Sequence, residues 1–247
     1  MLHRFSRTEL LLGTENIQKL AQSKVAIFGI GGVGSYVAEG LARCGIGEFL
    51  LIDSDDISLT NINRQIHALE HTIGQKKTIA MKERILAINP KAKVRTIEKL
   101  YTPESNFFPW NEHFDYIIDA VDDVKAKINL IINADKYNLP IISSMGTANK
   151  LDPQKFVITD ISKTHTCPLA RILRKALKQQ GIKHLKVLYS TEQPFTNYTI
   201  NFKENSNEEN SPASIRKQPL GSISFVPPIA GLMIAGEVIK DICIITH

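Results

Sequence analysis

A chain of 247 residues with 43% hydrophobic content is long enough for one large domain or two small ones, and apolar enough for a sizeable core. Its three cysteines, Cys44, Cys167 and Cys243, form no CxxC pair, which excludes a disulfide framework and a cysteine zinc knuckle and points to a reducing compartment. A net charge of +5 permits a polyanionic partner without demanding one.

The opening stretch MLHRFSRTEL lacks the apolar core of a signal peptide, and the longest apolar run, FVPPIAGLMIAG, is too short to cross a bilayer. The expectation is a soluble cytoplasmic protein with no membrane partner. KVAIFGI (24–30) reads as a buried strand, and GGVGSYVAEGLARCGIG as a turn, a helix and a glycine stop. EFLLID (48–53) is a second strand, and residues 76–90 form a helix that a proline ends. KVRTIEKL, DYIIDAV and PIISSMG are further strands, with an amphipathic helix from about Val124 to Tyr137 between the last two. Strands alternating with helices predict an α/β fold: a Rossmann-like, doubly wound, mostly parallel sheet with helices on both faces.

After Gly146 the rhythm changes to a strand in KFVITDISKTH, a helix over PLARILRKALKQQG and a strand in LKVLYS. A polar tract over about 195–219 reads as a mobile loop. The chain closes with a strand in SISF and a helix that proline can start. That helix is apolar round most of its circumference and reads as either buried in its own subunit or part of a dimer seam. The whole chain, 1–247, is read as one domain, its core over about 20–150 and a C-terminal substrate and dimer region over about 151–247.

The chemistry starts at GIGGVG (29–34), a G-x-G-x-x-G run between a strand and a helix. Gly29 permits the tight turn, Gly31 and Gly32 let backbone approach a phosphate, and Gly34 lets the helix pack on the strand. Asp53, nineteen residues beyond Gly34 at the end of the second strand, stands where a carboxylate accepts from ribose hydroxyls. A nicotinamide cofactor would need little more. Here Asp55, Asn61 and Arg64 follow, then Lys76 and Lys77, and Arg and Lys complement phosphoryl oxygens. Asp122 and Asp123 end a later strand at the carboxyl edge. A carboxylate facing phosphates implies an intervening cation, so Asp122 is assigned to magnesium. Asp123 can also cap the helix that follows. Together these residues describe an ATP site.

The segments GIGGVGS, LIDSDDISLTNINRQ, GQKK and IIDAVDD resemble the ATP-binding core of the ubiquitin-activating-enzyme-like adenylating superfamily. The resemblance implies Asp53 on the ribose, Asn61 and Arg64 on the phosphates, Lys77 on the phosphates in the transition state, and Asp122 on Mg²⁺. It also implies a homodimer in which an N-terminal arginine, Arg7 or in reserve Arg4, reaches the partner subunit's site. Many superfamily members carry an acyl group on a cysteine. In this chain Cys44 and Cys243 read as packing residues, and Cys167 stands before Pro168 at a helix start, where a thiol pKa can fall.

NRQIHAL, RILRKALKQQGI, VLYSTEQP and LGSISFVPPIAGL resemble the tRNA threonylcarbamoyladenosine dehydratase family, over about Arg4 to Asp241. That resemblance implies ATP-dependent closure of a threonylcarbamoyl group into a ring on the adenosine beside the anticodon, with tRNA as partner and a sulfur-relay protein as a further one. Some members carry a cysteine before the final helix, and this chain does not. Arg171, Arg174, Lys175 and Lys178 share helical spacing and read as a tRNA-backbone face, joined by Lys163, Lys183 and Lys186. Leu169, Ile172, Leu173, Ala176 and Leu177 are expected to face the core, and Tyr189 and Phe195 to be core aromatics. Three other readings remain open on sequence: an activator of a small sulfur-carrier protein, an NAD-dependent dehydrogenase, and an adaptor that binds ATP without turnover.

Overall fold

Short runs of mostly apolar residues build the centre of the molecule. In the computed structural model, which describes residues 2–195 and 220–245, these runs form seven strands: β1 (Lys24–Phe28), β2 (Glu48–Ile52), β3 (Lys93–Ile97), β4 (Tyr116–Asp119), β5 (Ile141–Ser144), β6 (Phe156–Asp160) and β7 (Lys186–Ser190). The sheet order is β3-β2-β1-β4-β5-β7-β6, parallel except for β6, which pairs antiparallel with β7 at the edge. The helices are α1 (Ser6–Leu12), α2 (Thr14–Gln22), α3 (Gly34–Cys44), α4 (Lys77–Ile88), α5 (Val124–Lys136), α6 (Pro168–Gln179) and α7 (Val226–Cys243). The fold is the doubly wound, Rossmann-like one.

The period of two along each strand sends alternate residues to opposite layers. Val25 and Ile27 join α3, α4 and α7 in one core, while Ala26 and Phe28 join Phe108, Phe114 and the first turns of α5 in another. A third cluster seats α6 on β7 through Ala170, Leu173, Leu177 and Val187. The sheet is thus covered on both faces, as a parallel sheet requires.

The last helix packs along one face inside its own chain. It lies against α3 and buries Val226, Ala230, Ile234, Val238 and Ile242 within the same chain. Small residues make this possible: a Cβ on Gly231 would stand 2.5 Å from the Val33 carbonyl oxygen, and one on Gly40 would stand 2.7 Å from the Ala235 Cβ. Burial in its own subunit, one of the two readings of this helix, is what the structure shows, while Leu232 remains 48% exposed. The strand expected in SISF does not form either. Gly221 exchanges hydrogen bonds with Asn149, and the Ser222 carbonyl accepts from Asn63 Nδ2, so this backbone serves loop contacts and not a sheet. Two helices before β1, joined at Gly13 (φ 82°), are additional to the elements read from sequence. The tract expected to be mobile lies outside the described residues apart from Phe195.

Beneath the carboxyl end of the sheet sits a fully buried ion pair. Lys127 Nζ on α5 donates to Asp119 Oδ1 on β4 at 2.9 Å, and the Ser143 hydroxyl on β5 donates to Asp119 Oδ2 at 2.5 Å. Breaking such a pair from one side leaves an uncompensated charge in low dielectric. Lys127→Met should destabilise the protein by about 3–5 kcal/mol in urea unfolding. The double variant Asp119→Asn/Lys127→Met should be more stable than that single one.

Candidate active site

β1 and β4 are neighbours, but their outgoing connections turn to opposite faces of the sheet, and at such a switch point an open α/β sheet has its crevice. A cavity of about 820 Å³ opens there. Its floor is the contact between the two outgoing loops. Gly29 has φ +84°, and a Cβ on it would stand 2.6 Å from the Ala120 carbonyl oxygen. A Cβ on Gly34, the first residue of α3, would overlap the Gly29 carbonyl oxygen. These two glycines serve the fold. Gly31 differs, because a Cβ there meets no protein atom nearer than Gln65 Nε2 at 3.9 Å. Its bare face is turned to the cavity that Gly31 and Gly32 line.

The glycine loop is held from two sides at Ile30. Its N–H donates to Asp53 Oδ2 at 2.6 Å, and its carbonyl accepts from His67 Nε2 at 2.8 Å. Because a carbonyl only accepts, Nε2 carries the proton, and burial lowers the His67 pKa so that the ring stays neutral. Asp53 Oδ1 accepts from the Asp55 N–H at 2.8 Å. The carboxylate is thereby oriented with lone pairs to spare for hydroxyl donors.

Asp53, Asp55, Asn61, Arg64, Lys77, Asp122 and Asp123 all line the same cavity. Asn61 is buried in a short 3-10 turn, where its Oδ1 accepts from the Ser58 N–H at 3.1 Å. Arg64 Nη1 donates to the Thr60 carbonyl and to Asn63 Oδ1. Lys77 opens α4, is 6% exposed, and pairs with Asp55 Oδ2 at 2.6 Å. Lys76 pairs with Asp56 instead. Asp123 caps α5 by accepting from the Ala126 N–H at 2.7 Å, so one of its oxygens is committed to the helix. Asp122 is exposed and has no hydrogen-bond partner among the described residues. Arg7 lies on the exposed side of α1 and does not line this cavity. Arg4 donates to the Ile88 carbonyl at 2.6 Å and lines a separate surface pocket with Arg43 and Arg84.

The basic helix is narrower than its spacing suggests. Arg171, Lys175 and Lys178 are exposed, but Arg174 turns inward and donates to the Thr164 carbonyl at 2.9 Å and to the Thr164 hydroxyl. Arg174 clasps the turn before α6 through Nη1. Lys186 also leaves the patch, since its ammonium is held by Glu237 at 2.9 Å and Asp241 at 2.7 Å. Ile172 is 49% exposed instead of core, and Phe195 is exposed, whereas Tyr189 is buried as expected. Cys243 is buried, Cys44 is half-buried, and Cys167 forms the N-cap of α6.

Several lining residues escape the motif reading: Gln65, Leu100, Pro227, the turn after β5 from Ser144 to Ala148, and Leu169 on α6. The end of PIISSMG carries the one available signal, a strand terminus at the same carboxyl edge as Gly29 and Asp122.

The ThiF family profile matches residues 5–246. The chain belongs to the ThiF family. Within that family, a tRNA threonylcarbamoyladenosine dehydratase of Bacillus subtilis is 47% identical over 247 residues, spanning 98% of this chain and 95% of that protein. The crystal structure of the Escherichia coli tRNA N6-threonylcarbamoyladenosine dehydratase in complex with ATP is similar at a TM-score of 0.83 and 32% identity, covering 97% of this chain and 93% of that one. The same Escherichia coli enzyme in complex with AMP gives a TM-score of 0.84.

The glycines divide into two kinds that substitution separates. Gly29→Ala should lower the melting temperature through strain and collision with Ala120. Gly31→Ala should keep the melting temperature while weakening ATP binding, as read by calorimetric titration.

Proposed function

We propose that this chain is an ATP-dependent tRNA threonylcarbamoyladenosine dehydratase, working as a single ATP-binding unit in a cytoplasmic homodimer. The observation that carries the reading is one cavity holding a backbone-oriented aspartate, bare glycine backbone, three cations (Arg64, Lys77 and Lys99) and, among the described residues, a partnerless carboxylate and no cysteine.

Strand order arranges the ligand. Leu100 after β3 meets the adenine, Asp53 after β2 the ribose, and the glycine loop after β1 the phosphates, aided by the N-terminus of α3. Arg64, Asn61 and Lys77 take the phosphoryl oxygens. In this exchange Lys77 gives up Asp55, and Arg64 gives up a neutral carbonyl and an amide. Asp122 fits a metal ion shared with phosphates, because a hard cation such as Mg²⁺ binds through one or two carboxylates plus phosphate oxygens and water. No group of three His, Cys, Asp or Glu among the described residues would hold an ion alone. Such an ion supplies charge neutralisation along the triphosphate.

The substrate carboxylate is a poor acyl donor because an oxide is a poor leaving group. Its oxygen attacks the α-phosphorus, a new O–P bond forms, and pyrophosphate departs with the broken one. The ureido nitrogen then attacks the acyl carbon, the acyl–oxygen bond breaks, and AMP leaves as the nitrogen loses its proton. An intramolecular nucleophile has an effective molarity of roughly 10⁵ M or more when oriented, so no enzyme thiol is needed. Arg7, standing clear of its own cavity, reaches the partner's in the dimer. The exposed Arg171, Lys175 and Lys178, with Lys163 and Lys183, take tRNA phosphates, and a sulfur-relay protein is a further partner.

Mass spectrometry of nucleosides, after incubating the protein with ATP, Mg²⁺ and threonylcarbamoylated tRNA, should show an ATP-dependent loss of one water; no loss sinks the proposal. Lys77→Ala should lower turnover on the order of 10²-fold or more while the melting temperature holds, because it removes charge from the transferring phosphate. Reversing Arg171, Lys175 and Lys178 to Glu should weaken tRNA binding and flatten its salt dependence by about one unit of slope per lost phosphate contact, leaving ATP affinity unchanged. Arg174→Ala should cost stability more than tRNA affinity.

A further inference from the structure

The cavity has two chemically different halves. The half over β3, β2 and β1 carries all of its charged cations, whereas the wall over β5, from Ser144 to Ala148 with Leu169 and Ser222, carries no charged side chain. It is nevertheless rich in unused donors. The backbone N–H groups of Gly146, Thr147 and Ala148 have no acceptor among the described residues, and neither does the Thr147 hydroxyl. The residues on either side are tied down. The Met145 N–H donates to the Leu188 carbonyl at 2.8 Å, and the Asn149 N–H donates to the Gly221 carbonyl at 2.8 Å. A three-residue turn is thus fixed at both ends, with its own donors left free along a cavity wall.

Resting on the dehydratase reading, we propose that the Gly146–Ala148 turn, with the Thr147 hydroxyl, is the carboxylate-binding end of the site, and that Leu169 packs against the nucleoside that carries this carboxylate. β5 stands two strand spacings from β1, roughly 10 Å, on the same carboxyl edge of the sheet as the glycine loop. Neutral donors suit the chemistry. A guanidinium or ammonium would hold the carboxylate harder and also withdraw charge from the oxygen that must attack phosphorus. Amides and a hydroxyl orient it and leave it nucleophilic. The tRNA path follows from the same helix: Leu169 faces the cavity from the first turn of α6, and the exposed Arg171, Lys175 and Lys178 continue away from it. The modified base enters the cavity where the basic stripe begins.

Gly146 offers a test that spares the fold. Its φ is not positive, and a Cβ built on it meets nothing within 4 Å, so Gly146→Val fills space that the protein does not use. Wild type, Gly146→Val and Thr147→Val are compared with an anticodon stem-loop oligonucleotide carrying threonylcarbamoyladenosine and with its methyl ester. Binding is measured by fluorescence anisotropy with a non-hydrolysable ATP analogue, and turnover with ATP and Mg²⁺. Wild type should prefer the free carboxylate by about ten-fold or more, the scale of charge-assisted hydrogen bonds. Both variants should lose most of that preference and raise KM for the oligonucleotide, with ATP affinity and melting temperature unchanged. A wild type that leaves the free-carboxylate oligonucleotide unconverted overturns the dehydratase reading and this one with it. A wild type that converts it, alongside variants that bind the two oligonucleotides as wild type does, overturns the carboxylate cradle alone.

Discussion

Everything that meets the nucleotide depends on one point of contact, where Gly29 backs onto the Ala120 carbonyl at the switch between β1 and β4. The loop on one side carries bare glycine backbone, and the loop on the other carries Asp122 and Asp123. Both must leave the sheet without a side chain between them. The Asp119–Lys127–Ser143 network sits directly below and holds the second loop in place, since Asp119 Oδ1 also accepts from the Val121 N–H at 3.2 Å. Burial pushes the Asp119 carboxyl upward in pKa, against Lys127 and Ser143, which favour its charged form. A buried pair of this kind contributes little net stability against an apolar alternative. What it supplies here is position: it joins β4, β5 and α5 under the two walls of the cavity.

The first loop has a matching support. The Ile30 peptide is fixed through both of its polar groups, by Asp53 on one side and neutral His67 on the other. Asp53 orients the glycine loop, and in the proposed reading its place at the end of β2 also turns it to the ribose. The cations are held less firmly. Asp55, the partner of Lys77, is 63% exposed, so water and salt screen that end of the pair. Arg64 is held only by a carbonyl and an amide oxygen. A triphosphate can take over both cations at small cost, so the rigid parts of the site are its backbone and the exchangeable parts are its charges.

This division explains what is legible in the sequence. Gly29, Gly34 and Asp53 can be read because their duties are set by neighbours within one strand–turn–helix unit, and the alternation of strands and helices follows from the same short-range periodicities. Arg174 and Lys186 cannot be read in this way. Helical spacing places Arg174 on the basic face, but Thr164, in the turn before α6, draws it inward; Lys186 finds Glu237 and Asp241 more than fifty residues away. The terminal helix is a related case. Its apolar circumference leaves two readings open, its own chain or a dimer seam, and only the structure shows Gly40 and Gly231 letting α3 approach it within one chain. The Ser144–Ala148 wall has no motif at all, because backbone donors leave no mark on residue type.

The absence of charge on that wall bears on how the site separates its two reactants. Two anions, a triphosphate and a carboxylate, must meet at one phosphorus atom, and unlike charges spread over the whole cavity would let either anion occupy either end. In the proposed reading, concentrating Arg64, Lys77 and Lys99 over β1 to β3, and leaving only neutral donors at the β5 end, gives the triphosphate one place to bind and the carboxylate another. The two are brought within reach by strand spacing, a dimension that the sheet fixes and that no side chain has to enforce. On that proposal the enzyme's contribution is largely geometric: it activates a leaving group at one end, presents a nucleophile at the other, and leaves ring closure to an atom the substrate already carries.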